Sequence, residues 1–239
     1  MNLAIDIGNS VIKAGIFKDN KPFRVLRLNN YIPQRILHIV LHYRIKNVIV
    51  AYVKGDTPPG AEQLKHHLEH YIELTSRTEL PIKNLYQTPE TLGKDRIAGV
   101  TGGISLFPGN NILVIDAGTA ITFDFINKKE EYIGGNISPG LSMRFRALHQ
   151  FTNQLPLLQK EDDIGMLGEN TKKAIIRGVQ NGIVFEMNHY IENLSLEHEN
   201  LKTILTGGDS NFFDNKLKYP IFVESDLVLM GLNKILKYN

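Results

Sequence analysis

The chain has 239 residues, 42% of them hydrophobic, enough to core one large domain or two of about 110 residues. Lysine and arginine number 27 against 25 aspartates and glutamates, and the basic residues do not cluster, which argues against a nucleic-acid surface. Cysteine is absent, which excludes disulfides and thiolate metal sites and suits a reducing compartment.

The N-terminus passes straight into a strand interrupted by Asp6, unlike a signal peptide, and no apolar run approaches the roughly 20 residues that span a bilayer. A soluble, cytoplasmic protein is expected. Residues 2–28 read as three strands in a meander, with a first turn after Asp6, a second at Asp19-Asn20-Lys21-Pro22, and a third strand over Phe23–Leu28. Pro33 opens a helical pattern with Ile36, Ile39, Val40 and Tyr43 on one face. Val48–Val53 is a continuous β-branched run, as in a buried parallel strand. After Pro58-Pro59-Gly60, the stretch from Ala61 to about His70 reads as helix. His66 and His70 then share a face, but no third ligand stands at motif spacing, so a solvated helix face is the better reading, as for His38 and His42. A strand near Ile72–Thr75 and an irregular stretch from Pro81 to Pro89 follow. Leu92-Gly93-Lys94-Asp95-Arg96 leads into a helix ending near Leu106. Asp95 and Arg96 thus lie at a helix N-terminus, where the dipole favours an anion and tends to keep Asp95 ionised. Plain capping by Asp95 is the competing reading.

Leu113 to Phe125 reads as strand, tight turn, antiparallel strand: apolar residues end on Asp116, then Gly118 and Thr119, then alternation resumes. Leu3 to Phe17 has the same form, with Asp6, Gly8, Asn9 and Ser10. The two aspartates stand 110 residues apart in a chain of 239, so an internal duplication at half length is expected. Such turns suit phosphate: glycine lets amides approach oxyanions, Ser or Thr adds a hydroxyl, and the strand-end carboxylate can hold a cation. Asn127–Glu131 is a charged loop tip. Gly134–Gly140 introduces a helix bearing Leu141, Phe145 and Leu148, and Pro139-Gly140 is either a tight structural turn or a set of bare amides for an anion or carbonyl. Leu155–Leu167 reads as loop. Gly168-Glu169-Asn170-Thr171 caps a long helix, Lys172 to about Asn193. Leu201–Leu205 is a strand delivering Thr206-Gly207-Gly208-Asp209, Ile221–Glu224 is a short last strand, and Asp226 caps a terminal helix to Leu236. Two α/β halves are expected, 1–110 and 111–239, packed with a nucleotide cleft between them. Neither Gly-x-x-x-x-Gly-Lys-Ser/Thr nor Gly-x-Gly-x-x-Gly occurs, which disfavours a P-loop NTPase and a Rossmann oxidoreductase.

Asp6-Ile-Gly8-Asn9-Ser10, Gly93-Lys94-Asp95-Arg96, Asp116-Ala-Gly118-Thr119, Gly134-Gly135-x-Ile137-x-Pro139-Gly140 and Thr206-Gly207-Gly208 together resemble type III pantothenate kinases. That family belongs to the acetate kinase, sugar kinase, Hsp70 and actin superfamily, built from two ribonuclease-H-like halves with mixed sheets. The resemblance spans the chain. It implies ATP-dependent phosphorylation of the primary hydroxyl of pantothenate, opening coenzyme A synthesis. It places the ATP phosphates on Asp6, Ile7, Gly8, Asn9, Ser10, Val11, Ile12, Lys13 and Thr119, and makes Asp95 the proton acceptor. Pantothenate falls to Tyr86, Gly93, Lys94, Asp95, Arg96 and Thr171. A monovalent cation, K+ or NH4+, belongs at Asp116 besides Mg2+, and the enzyme is expected as a homodimer with pantothenate held near the interface.

The chemistry of the residues agrees, because phosphoryl transfer needs positioning and charge neutralisation more than covalent help. Arg96 can pair with the substrate carboxylate, and Tyr86 offers a flat wall with a hydroxyl. Lys94 stands at the family's variable position; near Asp95 it would lower that pKa, and otherwise it points to water. Two rivals remain: a nucleotide-binding or regulatory protein on the same fold, and another kinase or a phosphatase of the superfamily with a different acceptor pocket.

Overall fold

The structure is a computed structural model that describes the chain except residues 9–10, 19–20, 53–59 and 163–164. Asn9 and Ser10 of the first turn, Asp19-Asn20, Val53, Pro58-Pro59 and Asp163 therefore lie outside the described residues. Two compact units form: Met1–Gly109 with Lys129–Ile133 and Asp226–Asn239, and Asn110–Lys128 with Gly134–Ser225. The units are not two continuous stretches of chain, because Lys129–Ile133 and Asp226–Asn239 belong to the first.

In the first unit β1 (Asn2–Ile7), β2 (Ile12–Lys18), β3 (Lys21–Leu28), β4 (Asn47–Tyr52) and β5 (His70–Glu73) make a sheet in the order β3-β2-β1-β4-β5. The first three strands are an antiparallel meander, and β4 and β5 continue parallel to β1. Val48, Ile49 and Val50 are fully buried, as a central parallel strand requires. One core gathers Leu3, Ile5, Ile16 and Val50 with Ile36, Ile39 and Val40 of α1 (Pro33–His42). Pro33 stands at the start of α1, where its missing N–H is no loss. Against the sheet pack α7 (Leu227–Tyr238) and, on α7, α3 (Lys94–Leu106). Those two helices meet backbone to backbone. A Cβ at Gly231 would lie 1.8 Å from the Ala98 carbonyl oxygen, and one at Gly102 would lie 2.3 Å from that of Leu227. The glycines thereby fix where the N-terminus of α3 stands.

Three local expectations change in this unit. The strand β3 starts at Lys21, so Pro22 lies within it; on an edge strand beside a register shift, its missing N–H costs no ladder bond. The helix α2 ends at Lys65 rather than near His70 (Ala61–Lys65), because the N–H groups of His67 and Leu68 turn back to carbonyls three residues earlier and His70 pairs with Asn47. His66 and His70 therefore share no helix, and among the described residues no three His, Asp or Glu side chains assemble as a ligand set. The irregular stretch after Pro81 contains β6 (Lys83–Asn84), paired with the start of β9 (Glu131–Pro139) and reinforced by a 3.0 Å Lys83–Glu131 ion pair.

The second unit repeats the plan. β7 (Ile112–Ala117), β8 (Ala120–Ile126), the rest of β9, β10 (Lys202–Thr206) and β11 (Phe222–Val223) lie in the order β9-β8-β7-β10-β11, with β10 parallel to β7 and β11 parallel to β10. The order of the five strands matches the first unit, so the duplication read from the two aspartates is present in the topology. Leu113, Ile115 and Phe123 pack against Phe145 of α4 (Leu141–Gln150) and Ile176, Ile183 and Met187 of α5 (Thr171–Glu197). The Asn170 side chain caps α5 by accepting the Lys173 N–H at 3.0 Å, and the helix runs four residues beyond the expected Asn193. Gly134–Pro139 is strand, and only Gly140 is the junction to α4. A short helix, α6 (Ser210–Phe213), and a 3₁₀ turn (Asp214–Lys216) follow β10. Among the described residues no helix is long and apolar enough to cross a membrane.

Candidate active site

In the first unit the hairpin closes on the pair Ile7 and Ile12, which sets Asp6 directly opposite Lys13. A Cβ on Gly8 would press to 3.1 Å from the Val11 carbonyl oxygen, a tight contact that glycine avoids. Ile7 and Lys13 are half-buried, Ile12 is buried and Val11 exposed. Asp6 lies between β2 and β4, and burial raises its pKa from an ordinary 3.8 to about 6. The negative charge of Asp95 adds to the rise and Lys13 opposes it. Asp6, Lys13 and Asp95 thus form one electrostatic cluster.

Asp95 is in the first turn of α3, where the N-cap is Gly93. Its Oδ1 accepts the N–H of Arg96 at 2.9 Å. Asp95 therefore serves one helix-start amide without occupying the N-cap position. A Cβ on Gly93 would lie 2.5 Å from the same Oδ1, so glycine clears the space in which that carboxylate sits. Lys94 takes neither expected course. Its ammonium stands over the Tyr52 ring, 3.8 Å from the centroid, and burial lowers its pKa while Glu73 pulls it back up. The Tyr52 hydroxyl donates to Glu73 at 3.2 Å. Arg96 is buried, with its guanidinium carbon 5.5 Å from the Tyr86 ring centroid. Tyr86 is held by its N–H to Asn84 Oδ1 at 3.0 Å and leans on the buried Tyr132. A cation beside an aromatic wall suits a carboxylate on an apolar stem.

The second unit carries the shorter hairpin. Its closing pair is Ala117 and Ile121, so Asp116 faces Thr122 where Asp6 faces Lys13. The second copy thereby has a neutral hydroxyl in place of the ammonium. Gly207 has φ +95°, and a Cβ there would lie 2.4 Å from Asp116 Oδ1. One on Gly140 would meet the Thr119 carbonyl oxygen at 2.2 Å. Backbone from β10 and from the start of α4 thus closes on the Asp116–Thr119 turn, with Thr119 itself exposed. The Asp116 carboxylate and the Ala117 carbonyl both lie against Gly207, oxygen groups of the kind a hard cation takes. Asp124 is buried and accepts the Thr122 hydroxyl at 2.9 Å, a structural part. Thr171, the exposed first residue of α5, lines a hollow of about 980 Å³ between α4 and α5, with Arg144, Leu148, Phe151 and Ile175.

The sequence motifs name Gly140 and Gly207, but what those glycines make room for is visible only in the fold. The Tyr52 platform under Lys94 had no sequence signal, since Tyr52 is simply the last residue of a buried strand.

The profile of the type III pantothenate kinase family matches residues 2–193. The chain is 45% identical to the type III pantothenate kinase of Phocaeicola vulgatus, covering 100% of this chain and 99% of that one. The chain belongs to the type III pantothenate kinase family. A second relative of that name, from Cytophaga hutchinsonii, is 41% identical with 100% of both chains covered. Solved structures agree on the fold. A Campylobacter jejuni protein described as a Baf family transcriptional activator superposes with TM-score 0.65 at 24% identity, covering 99% of this chain and 98% of that one. A ROK family glucokinase from Streptomyces griseus, in complex with glucose and AMPPNP, gives 0.57 at 10% identity, with 100% and 99% covered. Both share the two-sheet α/β fold of this chain along nearly its whole length.

Proposed function

We propose that Asp95 accepts the proton in the reaction for which the family is named, transfer of the γ-phosphoryl group of ATP to the primary hydroxyl of pantothenate. The product, 4′-phosphopantothenate, opens coenzyme A biosynthesis. The observation that carries the assignment is the Gly93–Arg96 corner. There the Asp95 carboxylate lies in the first turn at the positive end of α3, with Oδ1 accepting the Arg96 N–H. As the new phosphorus–oxygen bond forms, the hydroxyl proton passes to Asp95 and ADP leaves with the electron pair of the broken bond. Tyr86 and Arg96 take the apolar stem and carboxylate of pantothenate, with Gly93, Lys94 and Thr171 completing its binding residues.

The turn of Asp6, Ile7, Gly8, Asn9, Ser10, Val11, Ile12 and Lys13 binds the ATP phosphates, as does Thr119. Lys13, opposite Asp6, brings a positive charge toward them. Mg2+ on the phosphates and a K+ or NH4+ ion at Asp116 supply charge neutralisation when bound. The enzyme acts as a homodimer, a reading supported by the hollow between α4 and α5 and by the exposed Phe151, Met166, Leu167 and Phe185. A cytoplasmic setting accords with a chain that lacks cysteine. The test is to incubate the purified protein with pantothenate, ATP, Mg2+ and K+ and to identify products by mass spectrometry. Phosphopantothenate and ADP in equal amounts are expected. ADP formed at the same rate without pantothenate would overturn the reading.

A further inference from the structure

We propose that Lys160, outside every motif of the sequence, is a positioning residue for the Asp116–Thr119 turn. The proposal rests on the reading of that turn as part of the ATP and cation site. Lys160 lies on the segment 155–161, which has no helix or strand yet is pinned at both ends. At one end the Leu155 carbonyl is bonded to His149 Nδ1 of α4 at 2.7 Å. At the other, the fully buried Gln180 of α5 clamps Glu161 by both backbone groups. Its Oε1 accepts the Glu161 N–H at 2.8 Å, and its Nε2 donates to the Glu161 carbonyl at 2.9 Å. Lys172 adds a 2.6 Å ion pair to the Glu161 carboxylate.

From this strap the Lys160 ammonium reaches Asp209, 2.6 Å from Oδ1, and also covers the Phe212 ring at 4.9 Å. Asp209 is no ordinary surface carboxylate. Its N–H donates to the Ala117 carbonyl at 2.9 Å, inside the turn itself. The Ser210 hydroxyl next to it holds the Gly207 carbonyl at 2.9 Å. Gly207 is the residue whose backbone abuts the Asp116 carboxylate. A continuous set of bonds thus runs from Gln180 through Glu161, Lys160 and Asp209 to Ala117 and Asp116. An exposed ion pair is ordinarily worth little. This one carries a consequence because it joins two backbone clamps. Without it the loop 207–210 keeps its fold but must be ordered again each time the turn takes its ligands.

The test is steady-state kinetics on the full chain with Lys160→Met, which removes the charge but keeps the stem over Phe212. KM for ATP and the K+ concentration for half activation should each rise about three- to tenfold, the effect of re-ordering one or two side chains on binding. Turnover at saturation should stay within about twofold and KM for pantothenate unchanged, a split that general unfolding would not produce. Lys160→Arg should restore both constants. Asp209→Asn should match Lys160→Met, and the double variant should be no worse than either. An unchanged KM for ATP in Lys160→Met, or loss of turnover and of both KM values together with a lower melting temperature, would overturn the proposal. Asp116→Asn in the same assay separates the two levels. If it abolishes turnover while Lys160→Met is silent, the network alone fails. If it leaves ATP and K+ dependence untouched, the site reading fails and the proposal with it.

Discussion

Asp95→Asn separates the base from the helix start. The asparagine keeps an oxygen where Oδ1 accepts the Arg96 N–H, and it fits the space that Gly93 leaves clear. Only the charge and the second acceptor oxygen change. Charge loss in the first turn of a helix costs about 0.3–1 kcal/mol. Against it, the variant removes the like charge that helps to raise the Asp6 pKa to about 6, which stabilises the fold whenever Asp6 is ionised. The two terms oppose each other, so the melting temperature should move by less than about 4 °C, the equivalent of ~1 kcal/mol in a domain of this length. Turnover carries no such offset. A general base contributes about 10²–10⁴-fold, so kcat should fall at least ~100-fold. ATP affinity by calorimetry should change less than about threefold, under ~1 kcal/mol. A third readout is independent of catalysis: the Asp6 pKa, followed by NMR, should fall in the variant. A folded Asp95→Asn protein retaining more than about a tenth of wild-type kcat would refute the base assignment. A large drop in melting temperature with turnover intact would give Asp95 a purely helix-starting role.

Asp6 makes stability pH-dependent: its raised pKa means the folded state is favoured fully below pH 3.8 and loses that advantage as pH rises through about 6. Asp6→Asn should therefore be more stable than wild type by about 1–3 kcal/mol at pH 7.5 and equal to it near pH 3.5, by urea titration; equal stability at both would contradict the burial argument. Gly231→Ala forces a Cβ to within 1.8 Å of the Ala98 oxygen and should cost about 2–4 kcal/mol, with a melting temperature lower by roughly 10 °C; an unchanged transition would show that α3 and α7 are not locked there. Replacing K+ and NH4+ by Na+ at constant ionic strength should severely reduce turnover, and equal rates would remove the cation from Asp116. Light scattering at micromolar concentration should give twice the 27.0 kDa chain mass, and the single mass would exclude the homodimer.

The parts legible in sequence were those whose cause is local. An apolar run ending on Asp6 or Asp116 before glycine specifies a strand and its turn wherever the chain goes, so the duplicated hairpins could be read in advance, while the strand order they share came from the fold. The helix start at Gly93–Arg96 was legible for the same reason, since the Asp95 carboxylate meets the amide of the next residue. What failed was decided at a distance. Leu64 and Leu68 promise a longer α2, yet His70 is taken into β5 by its pairing with Asn47. The terminal helix could be read as far as Leu236, but nothing in its sequence names α3 and the first sheet as the surface that its buried Leu229, Leu232 and Leu236 meet. Lys94 could be weighed only against Asp95 or water, because Tyr52 lies 42 residues earlier in the chain. Gly207 could be recognised as special without its purpose, the room it leaves for the Asp116 carboxylate.

The fold alone is shared with sugar kinases, so the acceptor decides the account. Phosphorus NMR of the wild-type protein with ATP, Mg2+ and K+ should be run in parallel on pantothenate, glucose and N-acetylmannosamine. A new phosphomonoester signal is predicted with pantothenate and with neither sugar. A signal from a sugar, with pantothenate unchanged, would contradict the assignment of Tyr86, Asp95 and Arg96 as the residues that receive the substrate.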